Sequence, residues 1–374
     1  MNIWFHRVVV ALLTGSSAVQ ACGQVTTYTV PGPEAGDLIS RVHGTIVITR
    51  PVAGIEAVRL PQLETTTPLA PDPDRFPVHS LGGPDASGRI AFVVNDMTGK
   101  KHALRLLVAD GKSETLFTGK GDALWEDAVG EYLALDATGT AVALVVRAKG
   151  VQNHDPDALL GEGELEIWRV AEGNRMATGL LAVDDILSWF PDGKRLAYTA
   201  FVPKEEAALL LREHVKPDEA FGRKTIGWAR VPVIHELDVE TGKSRPLHVG
   251  QRPLVSPDGR VVLLRDFELN WRLLDLETNV SRPFVAAGAI YPGAIAFADA
   301  NTVLFWAWPT EGSTVELTEH NSPLVGPKQM RALKLVDLRD GRFQTVLPSV
   351  DPRRSVSFGA MGPPAPDAKP PQGR

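Results

Sequence analysis

One cysteine, Cys22, stands in 374 residues, so no disulfide can form within the chain and a metal centre built from several thiolates is excluded. Charge of one sign is not concentrated either. The formal net charge is -6 and no Lys/Arg cluster is visible, which removes the basic face that neutralising a phosphate backbone requires. After the first residues no uncharged apolar run approaches the roughly 20 residues of a membrane-spanning helix. Catalytic signatures are missing as well. GSSAV (15–19), GKSET (111–115), GKSRP (242–246) and GSTVE (312–316) all fail the G-x-S-x-G nucleophile pattern, and HELDV (235–239) has no second histidine to complete H-E-x-x-H. No catalytic residue, metal ligand or cofactor is therefore assigned.

What the chain has is turns and short β-rich runs. It carries 34 glycines and 29 prolines within a 44% apolar composition, ample for a core. A length of 374 residues points to two domains unless repeats let one body grow by accretion. Repeats are present. DASGRIAFVV (85–94), DATGTAVALVV (136–146), FPDGKRLAYTA (190–200), SPDGRVVLLRD (256–266) and FADANTVLFWAW (297–308) each set an Asp/Gly/Asn turn before a β-branched, aromatic or leucine-rich run. Asp and Gly tolerate the backbone angles of tight turns, and the residues after them suit a pleated surface. Each copy predicts a hairpin, strand A into strand B.

A second phrase follows each copy: HALRLLVADGKSETLF (102–117), LEIWRVAEGNRMATGL (165–180), IHELDVETGKSRPL (234–247), WRLLDLETNVSRPF (271–284) and LKLVDLRDGRFQTVL (333–347). Apolar and polar residues alternate into an acidic or Gly-containing turn and then alternate again, the period of antiparallel strands with one wet face. These are strands C and D. IEAVRLPQLETTTPL (55–69), preceded by TIVITR (45–50), fits the template but lacks a strand A. SVSFG (355–359) at the other end of the chain could supply that strand, and LISRV (38–42) is the alternative.

Units of two hairpins cannot bury their faces alone, and radial stacking of four-stranded sheets solves the problem. The fold expected is all-β, a six-bladed β-propeller of four-stranded antiparallel blades over 45–359. The Pro-Asp-Gly phrase paired with an LDxETG-type hairpin resembles the TolB-like six-bladed propellers of bacterial envelopes over roughly residues 45–350. Propellers of prolyl oligopeptidases and of several lyases share the phrase; WD-type propellers fit less well, because the Gly-His and Trp-Asp signatures are missing. The resemblance implies an envelope protein whose partners are proteins or peptides.

The first residues are of another kind. Arg7, the apolar VVVALL (8–13) and the small residues of TGSSAVQA up to Ala21 form a secretory signal pattern, read as a signal peptide over 1–21; a buried N-terminal strand is the competing reading. VQAC (19–22) resembles a bacterial lipobox, which implies lipid attachment at Cys22, and Gly23 in place of Asp points to the outer membrane. Ordinary cleavage after Ala21 is the alternative. A linker over 22–44 and a Pro-rich disordered tail over 360–374 complete the division.

Function is sought in the longest connections. Three of the B–C connections, 148–164, 202–232 and 309–329, are long, and all fall on the same face of a propeller, while the A–B and C–D turns stay short. The second insertion predicts a short helix, with Pro203 near its start, Glu205 and Glu206 in the first turn, and Arg212, His214 and Lys216 near its end before Pro217. Leu209, Leu210 and Leu211 are too apolar to face water together, so the helix either docks another protein or packs onto its own propeller. Glu205, Glu206, Leu210, Arg212 and Trp228 are the candidate protein-binding residues, with Trp228 the interface anchor. Asp155, Asp157, Glu162 and Glu164 could offer oxygens to calcium but read better as a solvated acidic loop. Trp189 and Trp271 are expected between blades. The first-ranked function is a non-catalytic exported scaffold that binds an envelope protein or peptide, held to the membrane only by its lipid. The alternative is a propeller hydrolase or lyase with an active site at the channel mouth.

Overall fold

A computed structural model describes residues 26–29, 36–50, 54–69, 78–95, 101–107, 113–120, 133–146, 162–183, 186–211, 229–267, 270–284, 293–307, 314–317, 331–351, 354 and 356–360. The signal pattern, Cys22, Arg212, Trp228 and the Pro-rich tail lie outside these residues. The four-stranded antiparallel blade inferred from the paired phrases is the unit that forms, and the blades make a propeller.

Four sheets are built from consecutive strands. They are β5 (Val78–Gly82) to β8 (Ser113–Lys120) through β6 (Ile90–Asn95) and β7 (Lys101–Leu107); β9 (Leu133–Leu135), β10 (Ala141–Val146), β11 (Glu162–Arg169) and β12 (Asn174–Val183); β13 (Ser188–Trp189), β14 (Arg195–Pro203), β15 (Arg230–Asp238) and β16 (Ser244–Val249); and β17 (Gln251–Val255), β18 (Val261–Arg265), β19 (Trp271–Asp275) and β20 (Val280–Pro283). A fifth joins β21 (Gly293–Phe297), β22 (Thr302–Ala307), β24 (Arg331–Asp337) and β25 (Phe343–Val350), passing over β23 (Thr314–Leu317). The last unites the two ends of the chain. There β26 (Val356–Ala360) pairs with β2 (Gly44–Arg50), which continues into β3 (Gly54–Leu60) and β4 (Glu64–Leu69).

The first strand of every sheet is innermost. β26 touches β5, β5 touches β9, β9 touches β13, β13 touches β17, β17 touches β21, and β21 returns to β26. The missing first strand is thus SVSFG, with Ile46 opposite Phe358. The rival segment forms a helix instead, α1 (Leu38–Arg41), which buries Leu38 beside β24 and β25. A separate two-stranded sheet pairs β1 (Thr26–Thr29) with β23.

The alternation read from the C–D phrases gives way to a gradient of burial from rim to axis. β4 and β20 are largely exposed, whereas β22 is buried at every position and β24 at every position but its first. Inner strands are covered on both faces by neighbouring blades, so their polar positions no longer mark a wet side. Lys334, alternating with Leu333 and Leu335, is buried with its ammonium 4.3 Å from the centre of the Phe343 ring.

The core is accordingly a succession of seams. Phe190, Ala197 and Ile234 meet Val262, Leu264 and Leu274 across one of them. Trp271 meets Phe305 edge-on at 5.5 Å across the next. Trp189 is half-buried and donates its indole N–H to the carbonyl of Ala134 on the preceding blade at 3.0 Å, so both tryptophans lie between blades. Each Leu- or Phe-sized side chain wholly buried in a seam contributes about 1.5–3 kcal/mol.

The repeated turn phrases, Asp-Ala-Ser/Thr-Gly and Pro-Asp-Gly, explain themselves in the structure. Asp136 is buried and accepts hydrogen bonds from the Ala141 amide at 2.8 Å and from the hydroxyls of Thr140 and Thr138. Asp85 accepts from the amides of Ser87 and Arg89 and pairs with the Arg89 guanidinium at 2.7 Å. Asp192 does the same for Lys194 and Arg195. The turns also touch one another. Ala86 donates its amide to the Ala137 carbonyl, and Arg89 reaches the carbonyls of Thr138 and Gly139. A Cβ on Gly139 would collide with the Arg89 guanidinium and the Asp85 carboxylate, and one on Gly259 would press on Pro191 of the preceding phrase at 3.1 Å. At positions 139 and 259 the glycine serves the turn by its positive φ and the ring by its missing side chain.

Gly139→Ala is expected to lower stability by roughly 2–4 kcal/mol, since backbone strain at φ +68° is joined by a steric clash. Gly173→Ala, at φ +63° with nothing within 4 Å, is expected to cost about 1 kcal/mol from backbone strain alone. Urea denaturation of both variants checks the difference, and equal losses would show that the contact between turns adds nothing.

Candidate functional site at the loop-bearing face

Strand alternation sends every B–C connection to the face opposite the A–B and C–D turns. The three long connections run from β10 to β11, from β14 to β15 and from β22 to β24, so they share that face. Two of them are pinned together at their bases. Glu162 opens β11 at the end of the first insertion and Arg230 opens β15 at the end of the second. Their side chains form a bidentate pair, Nη1 to Oε2 at 2.7 Å and Nη2 to Oε1 at 2.9 Å. The same guanidinium donates to the Phe201 carbonyl at 2.6 Å and lies over the Phe201 ring. A planar fork held by three acceptors has little freedom, so the ends of these two insertions are held in a fixed relation on adjacent blades.

The second insertion begins with the expected helix. α2 (Lys204–Leu211) continues directly from β14, and its first amide donates to the Ala229 carbonyl at 3.0 Å. Ala207 is fully buried against Val231, Val233, Val249 and Phe267, with Ala208 and Leu210 half-buried beside it. Leu209 remains 57% exposed. Of the apolar run, Leu210 thus turns toward the propeller while Leu209 faces outward with Glu205 and Glu206, both exposed in the first turn. Glu162 and Glu164, candidates for calcium, are drawn instead to arginines, Glu162 to Arg230 and Glu164 to Arg175 at 3.6 Å. Among the described residues no group of three His, Cys, Asp or Glu side chains is placed to hold a metal ion, and no helix is long and apolar enough to cross a membrane. The third insertion contributes β23, whose pairing with β1 brings the start of the described chain to the same face.

One polar cluster lies within the blade that carries α2. Tyr198 on β14 and His235 on β15 are register partners, and their rings lie 5.4 Å apart, tilted by 35°. The Ser244 hydroxyl sits 2.8 Å from the Tyr198 oxygen and 3.2 Å from His235 Nδ1. His235 Nε2 is buried without a hydrogen-bond partner among the described residues. Burial holds the imidazole below its ordinary value of 6.5 and raises the Tyr198 phenol, with the Ser244 hydroxyl acting against the rise. Among the described residues the hydrogen-bond partner of the imidazole is the Ser244 hydroxyl, with no carboxylate on His235.

Sequence reasoning missed the Glu162–Arg230 pair and two arginines, Arg252 and Arg331, on the same face. No periodic signal marks them, because their partners are distant in the chain and meet through stacking of the blades.

No family model matches the chain, and no curated protein matches it. Solved structures do. Their fold class is the β-propeller, and TolB proteins are among them. TolB from Acinetobacter baumannii superposes with a TM-score of 0.54 at 16% identity, covering 85% of this chain and 66% of that one. A putative TolB from Agrobacterium tumefaciens gives 0.50 at 12% identity, covering 86% and 99%. An oligogalacturonate lyase from Vibrio parahaemolyticus gives 0.47 at 12% identity over 73% of each chain. The protein has a TolB-like propeller fold, and it spans 66% of the length of the Acinetobacter protein.

A histidine kept neutral by burial makes folding pH-dependent. The unfolded chain binds a proton at His235 below about pH 6.5 while the folded protein resists it, so stability falls as pH drops through that value. The melting temperature of the wild type is expected to fall further between pH 7.5 and 5.5 than that of His235→Asn, which keeps a donor toward Ser244. Parallel pH profiles would show that His235 is not the group responsible.

Proposed function

We propose that this protein is an exported scaffold, a six-bladed ring without catalytic residues, that docks an envelope protein or peptide on its loop-bearing face. The observation that carries this reading is the gathering of all three long B–C connections on one face, two of them locked at their bases by Glu162 and Arg230. A rigid frame with its variable segments on one side is the arrangement by which propellers present a binding surface. The TolB-like fold supports a periplasmic setting. Glu205, Glu206 and Leu209 offer an exposed, acidic and partly apolar helix face within that surface, and Arg212 and Trp228 follow it in the same insertion.

Attachment to the outer membrane through Cys22 belongs to the same proposal. VQAC supplies the modified cysteine, and a lipid would account for a lone thiol in an oxidising compartment. Metabolic labelling with a fatty acid is expected to mark the wild type and not Cys22→Ala; label in both, or in neither, would remove the anchor.

Docking is tested by affinity capture from detergent-solubilised envelope, comparing the wild type with a variant in which residues 204–229 are replaced by a short Gly/Ser link. A partner retained by the wild type and lost at least tenfold with the insertion is the expected outcome. Capture that is indifferent to the replacement, or absent from a folded bait, would sink the docking surface and favour a small-ligand or catalytic role.

A further inference from the structure

The loop-bearing face also gathers arginines where two blades meet. Arg252 lies at the loop-side end of β17, one of the innermost strands. Its φ of +59° is a left-handed conformation that side chains larger than glycine rarely adopt. The strain sits in a β-bulge: Gln251 faces Arg265 but Leu254 faces Leu263, so β17 carries one extra residue there. Bulges of this kind re-aim side chains, and strained residues concentrate where a site needs them.

The bulge directs Arg252 across the seam. Its Nη1 lies 3.8 Å from the point where a Cβ on Gly293 would stand, and Trp306 Cδ1 lies 3.2 Å from the same point. Gly293 opens β21, the innermost strand of the next blade, and its missing side chain leaves the guanidinium beside the indole. Arg331 opens β24 of that blade directly after the third insertion. Burial, and next the positive charge of Arg252, hold the Arg331 guanidinium below its usual range. Arg265 adds a third cation at the loop-side end, 7% exposed and 5.7 Å over the Trp271 ring. Like charges in a partly dehydrated place repel, and an arriving anion turns that repulsion into attraction.

We propose that Arg252 and Arg331 form a receptor for a carboxylate, an Asp or Glu side chain presented by the peptide segment that docks on the loop-bearing face. The assignment rests on the docking reading and names the chemistry that this part of the surface selects. A guanidinium has five N–H donors in a planar fork that matches a carboxylate two at a time, so each arginine has capacity for it beside its contacts within the chain. The location suits an incoming side chain, since both residues stand at the loop-side ends of their strands and Arg252 is on the innermost one.

The test uses a fluorescein-labelled hexaglutamate peptide, with hexaglutamine as the control, measured by anisotropy against the full-length protein at low and moderate salt. Preferential binding of hexaglutamate that weakens with salt is expected. Arg252→Gly and Arg331→Gln are each expected to weaken it at least tenfold, and Arg282→Ala, at an exposed arginine on the rim strand β20, to leave it unchanged. Arg252→Gly keeps the proposal testable if Arg331→Gln fails to fold, because glycine adopts φ +59° without strain. Equal binding of both peptides, no binding at all, no loss in Arg252→Gly, or an equal loss in Arg282→Ala would overturn the receptor. The peptide assay needs no natural partner, so it separates two failures. Envelope capture that fails while hexaglutamate still binds breaks the docking reading alone, whereas capture that survives Arg252→Gly breaks the receptor alone.

Discussion

The structure depends on the close approach of one tight turn to the next. Each blade is a twisted four-stranded sheet whose two faces are apolar, and its burial is complete only when a neighbour lies on each side. That stacking requires the A–B turns to nest. The Asp/Gly turn phrases make it feasible twice over: the aspartate satisfies the amides of its own turn, and at Gly139 and Gly259 the glycine leaves room for the turn beside it. At Gly139 the space is taken by Arg89 and Asp85, so the ion pair of one blade is seated in the next. Polar bonding on the turn face and apolar packing in the seams therefore reinforce each other around the axis.

This division of labour leaves the opposite face free to vary. Turns that nest stay short, while connections on the other face tolerate long insertions at small entropic cost. The protein uses that freedom without giving up order at the bases. Arg230 and Glu162 hold two insertions in register, and α2 seals its blade with Ala207 while leaving Glu205, Glu206 and Leu209 outward. Under the proposed docking role, segments anchored in this way would let a rigid body recognise a partner without a large ordering cost. The strained Arg252 belongs to the same face, where local backbone energy is maintained by the surrounding ring.

Much of the blade was readable from residue order, and the reasons are local. A Pro-Asp-Gly or Asp-Ala-Thr-Gly turn followed by a run such as AVALVV dictates a hairpin whatever surrounds it. SVSFG was readable as the strand that unites the chain ends because the opening unit lacked a partner for TIVITR. Trp189 and Trp271 were legible as residues between blades, since large aromatics in strands have few other places to go. The period-2 alternation was a poorer guide. Burial on both faces erased it in β24, where even Lys334 lies inside. LISRV, with its apolar and polar residues, was compatible with a strand, and its contacts with β24 and β25 made it a helix instead. The helix after Pro203 was visible in its charge pattern, but which of its leucines faced outward was not, because α2 is seated by Val231, Val249 and Phe267 from distant parts of the chain.

The sequence by itself determined the repeating hairpins, the character of their turns and the segments that could carry function, because turn chemistry and β-propensity act over a few residues. Only the tertiary structure decided which strands lost their wet face, which insertions were bound together and which cations converged. Arg230 meets Glu162 from 68 residues away, and the positive charge of Arg252 is felt by Arg331 across a seam between blades. Such encounters are written in no local pattern, since they arise when a ring of sheets brings the ends of separate strands to one place.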